Sequence, residues 1–261
     1  MSKKKSSLRK VFEIHLGYLL VRLFTAWVKR LSVKSLGSYG QKMGTLALYL
    51  LPKRKKIALN NLKLALGKEK SQEEIEQICR ESFKNIGMDM MEASRCFDFD
   101  DGYFKQMVRF EGREHLDRAL MGGNGVIALT AHLGNFPLMS IRLVNEGYPL
   151  SLIARDQENP KVARMIASFR NDAGIDSIPD KPRMTCVARC LEALERNHIL
   201  LLQIDQNAPA TECWVDFFGY LVPTFKGPVI FSIRKVPPSS PRSSSEIRTL
   251  IIRLSFTLPL N

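Results

Sequence analysis

Apolar positions fall into two regimes along the chain. Up to about residue 105 they recur at helical spacing, and from Val108 onward short apolar runs alternate with helix-like stretches. Residues 11–31 are mostly apolar, interrupted by Glu13, His15 and Arg22. Residues 37–51 carry Gly37, Gly40 and Gly44, then the run Leu46 to Leu51. A basic knot, Pro52-Lys53-Arg54-Lys55-Lys56, leads into apolar residues at 57, 59, 62, 64 and 66. That spacing predicts a helix ended by Gly67. Ser71 with Glu74 reads as an N-cap and capping box. It opens a helix to about Cys96 with Ile75, Ile78, Phe83, Ile86 and Met90 toward the core. Glu92, late on this helix, reads as a solvated carboxylate.

The second regime predicts strands over 108–112, 126–131, 150–154, 175–178 and 199–204. Helices are expected over 115–121, 136–146, 160–173 and 183–197, the third starting after Asn159 with Pro160 in its first turn. Residues 214–219 read as an extended segment and turn, and Gly227-Pro228 opens another helix. Strand–helix alternation with apolar strands predicts an α/β fold, a mostly parallel sheet with helices on both faces. The expected divisions are a basic N-terminus and membrane-associating helix (1–35), a helical section (36–105), an α/β core (106–235) and a low-complexity tail (236–261).

Charge adds a partner class. The 261 residues hold 39 Lys+Arg against 26 Asp+Glu, a net +13, which implies an anionic partner. The choices are nucleic acid, an anionic membrane face, or a phosphorylated or carrier-bound substrate. The chain has no RNA-binding signature or zinc-knuckle spacing, and only 8% of residues are aromatic, so no nucleic-acid partner is expected. The five Cys are scattered, which argues against a disulfide framework and for a reducing compartment. Cys186 and Cys190 share a helix face, but with no nearby His pair they read as two buried thiols, and no metal is expected. Arg22 near the middle of residues 11–31 is costly in a spanning helix, and no small-x-small site marks a cleaved signal. An interfacial or partly inserted helix, flanked by Lys3–Lys5, Lys29 and Arg30, is preferred to a soluble helix packed on the domain.

Of the four His, only His132 ends a buried strand beside a glycine; His15, His115 and His198 read as structural or solvated. Arg155-Asp156 and Asp205-Gln206-Asn207 follow other strands. In a parallel sheet such ends lie on one edge and converge on one pocket. Arg155 is placed there to clamp a phosphate or carboxylate. No nucleotide-binding fingerprint is present, since Gly122-Gly123-x-Gly125 precedes its strand.

Leu129-Thr130-Ala131-His132-Leu133-Gly134-Asn135-Phe136 resembles the H-x-G-N-aromatic motif of the bacterial lipid A biosynthesis acyltransferases, within the wider lysophospholipid acyltransferase superfamily. Further elements follow in the family's order: Pro52 to Leu66, Arg155 with Asn159-Pro160, Asp205-Gln206, Phe217-Phe218-Gly219 and Gly227-Pro228. The resemblance covers roughly residues 8–235. It implies His132 as general base, transferring an acyl chain from acyl carrier protein or coenzyme A to a glycolipid hydroxyl, most directly a lipid A precursor. It implies that Leu133, Gly134, Asn135, Arg155, Asn159, Gln206, Phe218 and Gly219 bind substrate. It also implies a seat on the cytoplasmic face of the bacterial inner membrane, with no cofactor. Acylation of another membrane lipid, or an inactive lipid-binding protein, are the alternatives.

Two departures stand out. The family pattern places Glu or Asp five residues after the His, and here that residue is Pro137. Proline cannot orient or charge-balance an imidazole, so another carboxylate is expected to substitute, Asp205 first and Asp156 second. After about Lys235 the family continues into an apolar strand, whereas this chain has Pro237 to Ser245. One permitted back-translation of Pro237–Thr249, read in a frame shifted by two bases, gives P-V-V-P-A-F-I-V-R-N-P-D, the expected strand. A shifted frame from about residue 236 is therefore expected, and it would leave the sheet without its last strands.

Overall fold

The computed structural model describes residues 2–155, 157–233, 248–251 and 254–256. The chain begins with helices α1 (Ser2–Lys29), α2 (Val33–Leu50), α3 (Pro52–Leu66), α4 (Gln72–Ala93) and α5 (Asp101–Met107). Then follow β1 (Val108–Phe110), α6 (Arg113–Leu120), β2 (Val126–Thr130), α7 (Phe136–Asn145), β3 (Leu150–Ala154), α8 (Pro160–Asp172), β4 (Ile175–Pro179), α9 (Arg183–Glu195) and β5 (Ile199–Gln203). Last come β6 (Cys213–Phe217), β7 (Tyr220–Thr224), α10 (Gly227–Ile233), β8 (Arg248–Ile251) and β9 (Leu254–Phe256). Two units result: a helical one of residues 24–98 with 215–222, and an α/β one of residues 1–23, 99–214 and 223–261.

In the α/β unit five strands run parallel in the order β4-β3-β5-β2-β8. The chain steps outward from β2 to β3 to β4, then returns to insert β5 between β3 and β2. Right-handed crossovers in opposite directions put their helices on opposite faces. Burial alternates accordingly. Ile127 on β2 with Leu200 and Leu202 on β5 packs against Cys186, Cys190, Ala193 and Leu194 of α9. Their neighbours Val126, Ala128, Ile199 and Leu201 are buried on the other side. Cys186 and Cys190 are the expected buried thiols, and burial pushes the Cys190 thiol up to about 12. His198 is also structural: its Nδ1 lies 2.9 Å from Ser151 Oγ, and burial holds its pKa below the ordinary histidine value.

The tail requires a correction. β8 completes the parallel sheet beside β2, and β9 pairs antiparallel with β1. The expectation that the sheet lacks its last strands therefore fails. Thr249 and Ile251, both β-branched, flank Leu250 in a run that offers a strand to the open edge of β2. The low-complexity residues Pro237 to Ser245 lie outside the described residues.

A carboxylate joins α6 to α7. Glu146, just past α7, accepts hydrogen bonds from Arg142 and from Arg113. The Arg142 bond, with the charges of both arginines, holds the Glu146 carboxyl below the usual carboxylate range. A depressed folded value means that this stabilisation is complete above the unfolded pKa and is lost as pH falls through the folded one. Glu146→Gln is expected to cost about 1–2 kcal/mol at neutral pH. In urea melts at descending pH, wild type and variant should converge at the acid end.

In the helical unit the Ser71–Glu74 capping box forms as expected, Ser71 Oγ accepting from Glu74 N at 3.2 Å and Glu74 Oε2 from Ser71 N at 2.8 Å. The buried face of α4 is not the expected one. Ile75 is buried, but Ile86 and Met90 are 58% and 56% exposed. Cys79, Gly87, Met88, Met91 and Glu92 face inward instead. The seam is set by small residues: a Cβ on Gly87 would lie 2.2 Å from the Gly40 carbonyl oxygen, and one on Gly44 2.1 Å from that of Phe83. Backbone-to-backbone contact of α2 and α4 fixes the rotation of α4 and turns Ile86 and Met90 outward. Glu92, read as solvated, is buried for the same reason.

Helix α1 is apolar on two sides. On one side the Ile14 carbonyl accepts from Asn159 Nδ2 at 2.8 Å, and Lys161 lies over the Tyr18 ring. On the other, Phe12, Leu16, Leu19, Leu20, Leu23 and Trp27 remain exposed at helical spacing. Residues Arg9–Lys29 form a helix long and apolar enough to cross a membrane by length and composition. An uncovered apolar stripe is what an interfacial helix presents.

Candidate active site

The strand register assembles the centre of the site. β2 and β5 pair in parallel with Thr130 opposite Gln203. Two residues further along each strand end, His132 meets Asp205. Asp205 Oδ2 accepts the His132 backbone N–H at 2.7 Å, and Oδ1 lies 2.8 Å from the ring Nδ1. One carboxylate thus grips the backbone and imidazole of the same residue. Both side chains are 33% exposed, so the pair is held by the sheet yet open to solvent. The second ring nitrogen, Nε2, lies 3.3 Å from Gln206 Nε2. Phe136 packs edge-on against the imidazole, ring centroids 5.3 Å apart.

The loop between β2 and α7 presents the ring. Gly134 takes φ +63°, and its carbonyl accepts from Phe136 N at 3.0 Å. That left-handed conformation suits glycine. Asn135 is buried and caps α7, its Oδ1 accepting from Leu138 N at 3.3 Å. Pro137 then sits in the first turn of α7, where its missing N–H costs no intrahelical bond. Leu133 is 81% exposed.

The remaining expected residues divide. Gln206 is brought to His132. Arg155, after β3, donates from Nε to Asp180 Oδ2 at 3.2 Å, and its side chain is 83% exposed. Asn159 caps α8 through Oδ1 and binds α1 through Nδ2, so both ends of its amide are engaged within the protein. Phe218 and Gly219 form the positive-φ turn between β6 and β7, part of the helical unit, with Gly219 N donating to Asp216 Oδ1 at 3.1 Å. Asp156 lies outside the described residues. Sequence reasoning gave no role to Phe136 at the ring or to Asp180. The aromatic position of the motif was the signal for the first, and Asp180 carries none beyond following β4.

Chemically, a carboxylate on Nδ1 fixes the imidazole's orientation and favours the tautomer with its proton on Nδ1. The outer nitrogen is then an acceptor, toward the Gln206 amide 3.3 Å away. Among the described residues no group of three His, Cys, Asp or Glu is arranged to hold a metal ion.

Known proteins resemble this chain in sequence. A lipid A biosynthesis palmitoleoyltransferase of Escherichia coli (strain K12) is 30% identical over 99 residues, 38% of this chain and 32% of that protein. A phosphatidylinositol mannoside acyltransferase of Mycolicibacterium smegmatis is 24% identical over 162 residues, 60% of this chain and 52% of that protein. The matches thus span about half or less of these relatives' length. The sequence pattern of the bacterial lipid A biosynthesis acyltransferases matches residues 1–234, nearly the whole chain, and the protein belongs to that family.

Proposed function

We propose that this protein is an O-acyltransferase. It moves a fatty acyl chain from acyl carrier protein or coenzyme A to a hydroxyl of a lipid A precursor or related glycolipid. The observation that carries this reading is the two-bond grip of Asp205 on His132 at the sheet edge. With Nδ1–H donating to Asp205, the Nε2 lone pair takes the proton of the acceptor hydroxyl. The hydroxyl oxygen attacks the thioester carbonyl carbon, the C–S bond breaks, and the departing thiolate recovers the proton from His132. Gln206 holds Nε2 until the acceptor replaces it. Leu133 and Gly134 shape the approach, and Asp205 stands in for the acid that Pro137 displaced. The exposed stripe of α1 seats the enzyme on the inner membrane's cytoplasmic face, where lipid acceptor and cytosolic donor meet.

The acceptor is the second open choice, because the mycobacterial relative, named for a different glycolipid, matches the longer stretch of this chain. An assay offering a radiolabelled acyl chain on acyl carrier protein and on coenzyme A in turn, with either a lipid A precursor or phosphatidylinositol mannoside, is expected to give labelled lipid A precursor. Label only in the mannoside would move the acceptor. Label in neither, with vesicle binding intact, would favour a lipid-binding protein without catalysis.

A further inference from the structure

In the helical unit, α3 carries Lys53, Arg54, Lys55, Lys56 and Lys63 with no acid and buries no residue fully. Of the neighbouring acids of α4, Glu73 hydrogen-bonds within its own turn to Ser71, and the next three are engaged elsewhere. Glu74 closes the capping box and pairs with Lys70, Glu76 faces Arg80, and Glu81 pairs with Lys84. Among the described residues none of the α3 cations, nor Lys68, has an ion-pair partner. Between the end of α3 and the start of α4 lies a cavity of about 400 Å³, lined by Lys63, Lys68, Lys70 and Gln72 together with Leu64 and Tyr220. Glu69, in the same turn, does not line it. Lys70 Nζ is held by Glu74 Oε1 at 2.9 Å and Gln72 Nε2 donates to Glu76 Oε1 at 2.7 Å, so the unpaired ammonium groups at this concavity are those of Lys63 and Lys68, two cations that suit a phosphate.

We propose that this cavity binds the phosphate of an anionic membrane phospholipid. Apolar side chains favour an amphiphile over a soluble anion: Leu64 at the cavity is 55% exposed and Ile57, two turns earlier on the same face, 53%. A concavity of this size admits a phospholipid headgroup. Ile57 and Leu64 then lie along the lipid chains, while the α3 cations face neighbouring headgroups. This would be a second membrane contact besides the stripe of α1. Vesicle binding needs neither His132 nor Asp205, so failure here leaves the acyl-transfer reading untouched.

The test is flotation of the full chain with vesicles of phosphatidylglycerol and phosphatidylcholine, against phosphatidylcholine alone. Each cation near an anionic surface contributes roughly five-fold in binding, so Lys63→Gln with Lys68→Gln should weaken binding to the mixed vesicles roughly 25-fold. Lys105→Gln with Lys181→Gln, the same change in net charge elsewhere, should weaken it about two-fold or less. Leu64→Ser should also weaken it, and millimolar inorganic phosphate should not release the wild type. Equal losses in the two double variants would overturn the proposal, as would release by inorganic phosphate. So would unchanged vesicle binding by Lys63→Gln with Lys68→Gln accompanied by lost binding to an acyl carrier protein.

Discussion

Asp205→Asn is expected to lower acyl transfer about 10²–10³-fold while the protein stays folded, and His132→Ala about 10³–10⁴-fold. The asparagine is nearly isosteric, and its carbonyl can still accept the His132 backbone N–H that Asp205 Oδ2 accepts now. The loss comes at the ring. An amide NH₂ facing Nδ1 donates where the carboxylate accepted, which drives the imidazole proton to Nε2. The outer nitrogen then carries a proton and cannot take one from the acceptor. The negative charge that would balance the imidazolium during transfer is also gone. The carboxylate is one-third exposed, so solvent replaces part of that balance, which sets this loss below that of removing the base. Parallel measurement of transfer rate and urea midpoint separates chemistry from folding. A variant that transfers at the wild-type rate would remove Asp205 from the mechanism.

Gly44→Ala is expected to destabilise the helical unit by about 3 kcal/mol or more, and Gly87→Ala by a similar amount. Helix propensity alone gives the opposite sign, because alanine is favoured over glycine inside a helix by about 1 kcal/mol. Packing decides. The new methyl on residue 44 would stand 2.1 Å from the Phe83 carbonyl oxygen and 2.8 Å from the Lys84 Cα. On residue 87 it would stand 2.2 Å from the Gly40 carbonyl oxygen and 2.8 Å from the Gly44 nitrogen. These are backbone atoms that no rotamer change can move, so α2 and α4 must separate and loosen the packing of Leu36, Leu48 and Met91, all buried. Ser94→Ala, at a half-buried C-cap away from the seam whose hydroxyl bonds only the Met90 carbonyl, should cost well under about 1 kcal/mol and serves as the control. A urea midpoint that rises for Gly44→Ala would show that the seam yields.

Much of the α/β unit was legible in the chain because its strands are buried on both faces and read as unbroken apolar runs. Boundaries at Leu150–Ala154 came out as read, and those of β2 and β5 within one residue. Capping chemistry was equally readable at Ser71 and at Asn159-Pro160. The seam of α2 and α4 was not. Periodicity weighs hydrophobicity, and a contact made by glycines carries none, so Ile86 and Met90 were assigned inward. At the candidate site, His132 was visible from its strand end. Asp205 followed from the gap left by Pro137, but its position beside the ring depends on strand order, and only the insertion of β5 next to β2 makes them neighbours. Asn135 and Asn159 carry motif positions, yet hydrogen bonds explain both as helix caps.

Asp205 and His132 are expected to act as one unit. Transfer rates of His132→Ala, Asp205→Asn and the double variant, under identical conditions, test it most directly. A carboxylate that works only through the imidazole has nothing left to support once the ring is gone. The double variant should therefore transfer within about two-fold of His132→Ala. If instead the two losses multiply, Asp205 acts independently of His132 and the account of the site is wrong.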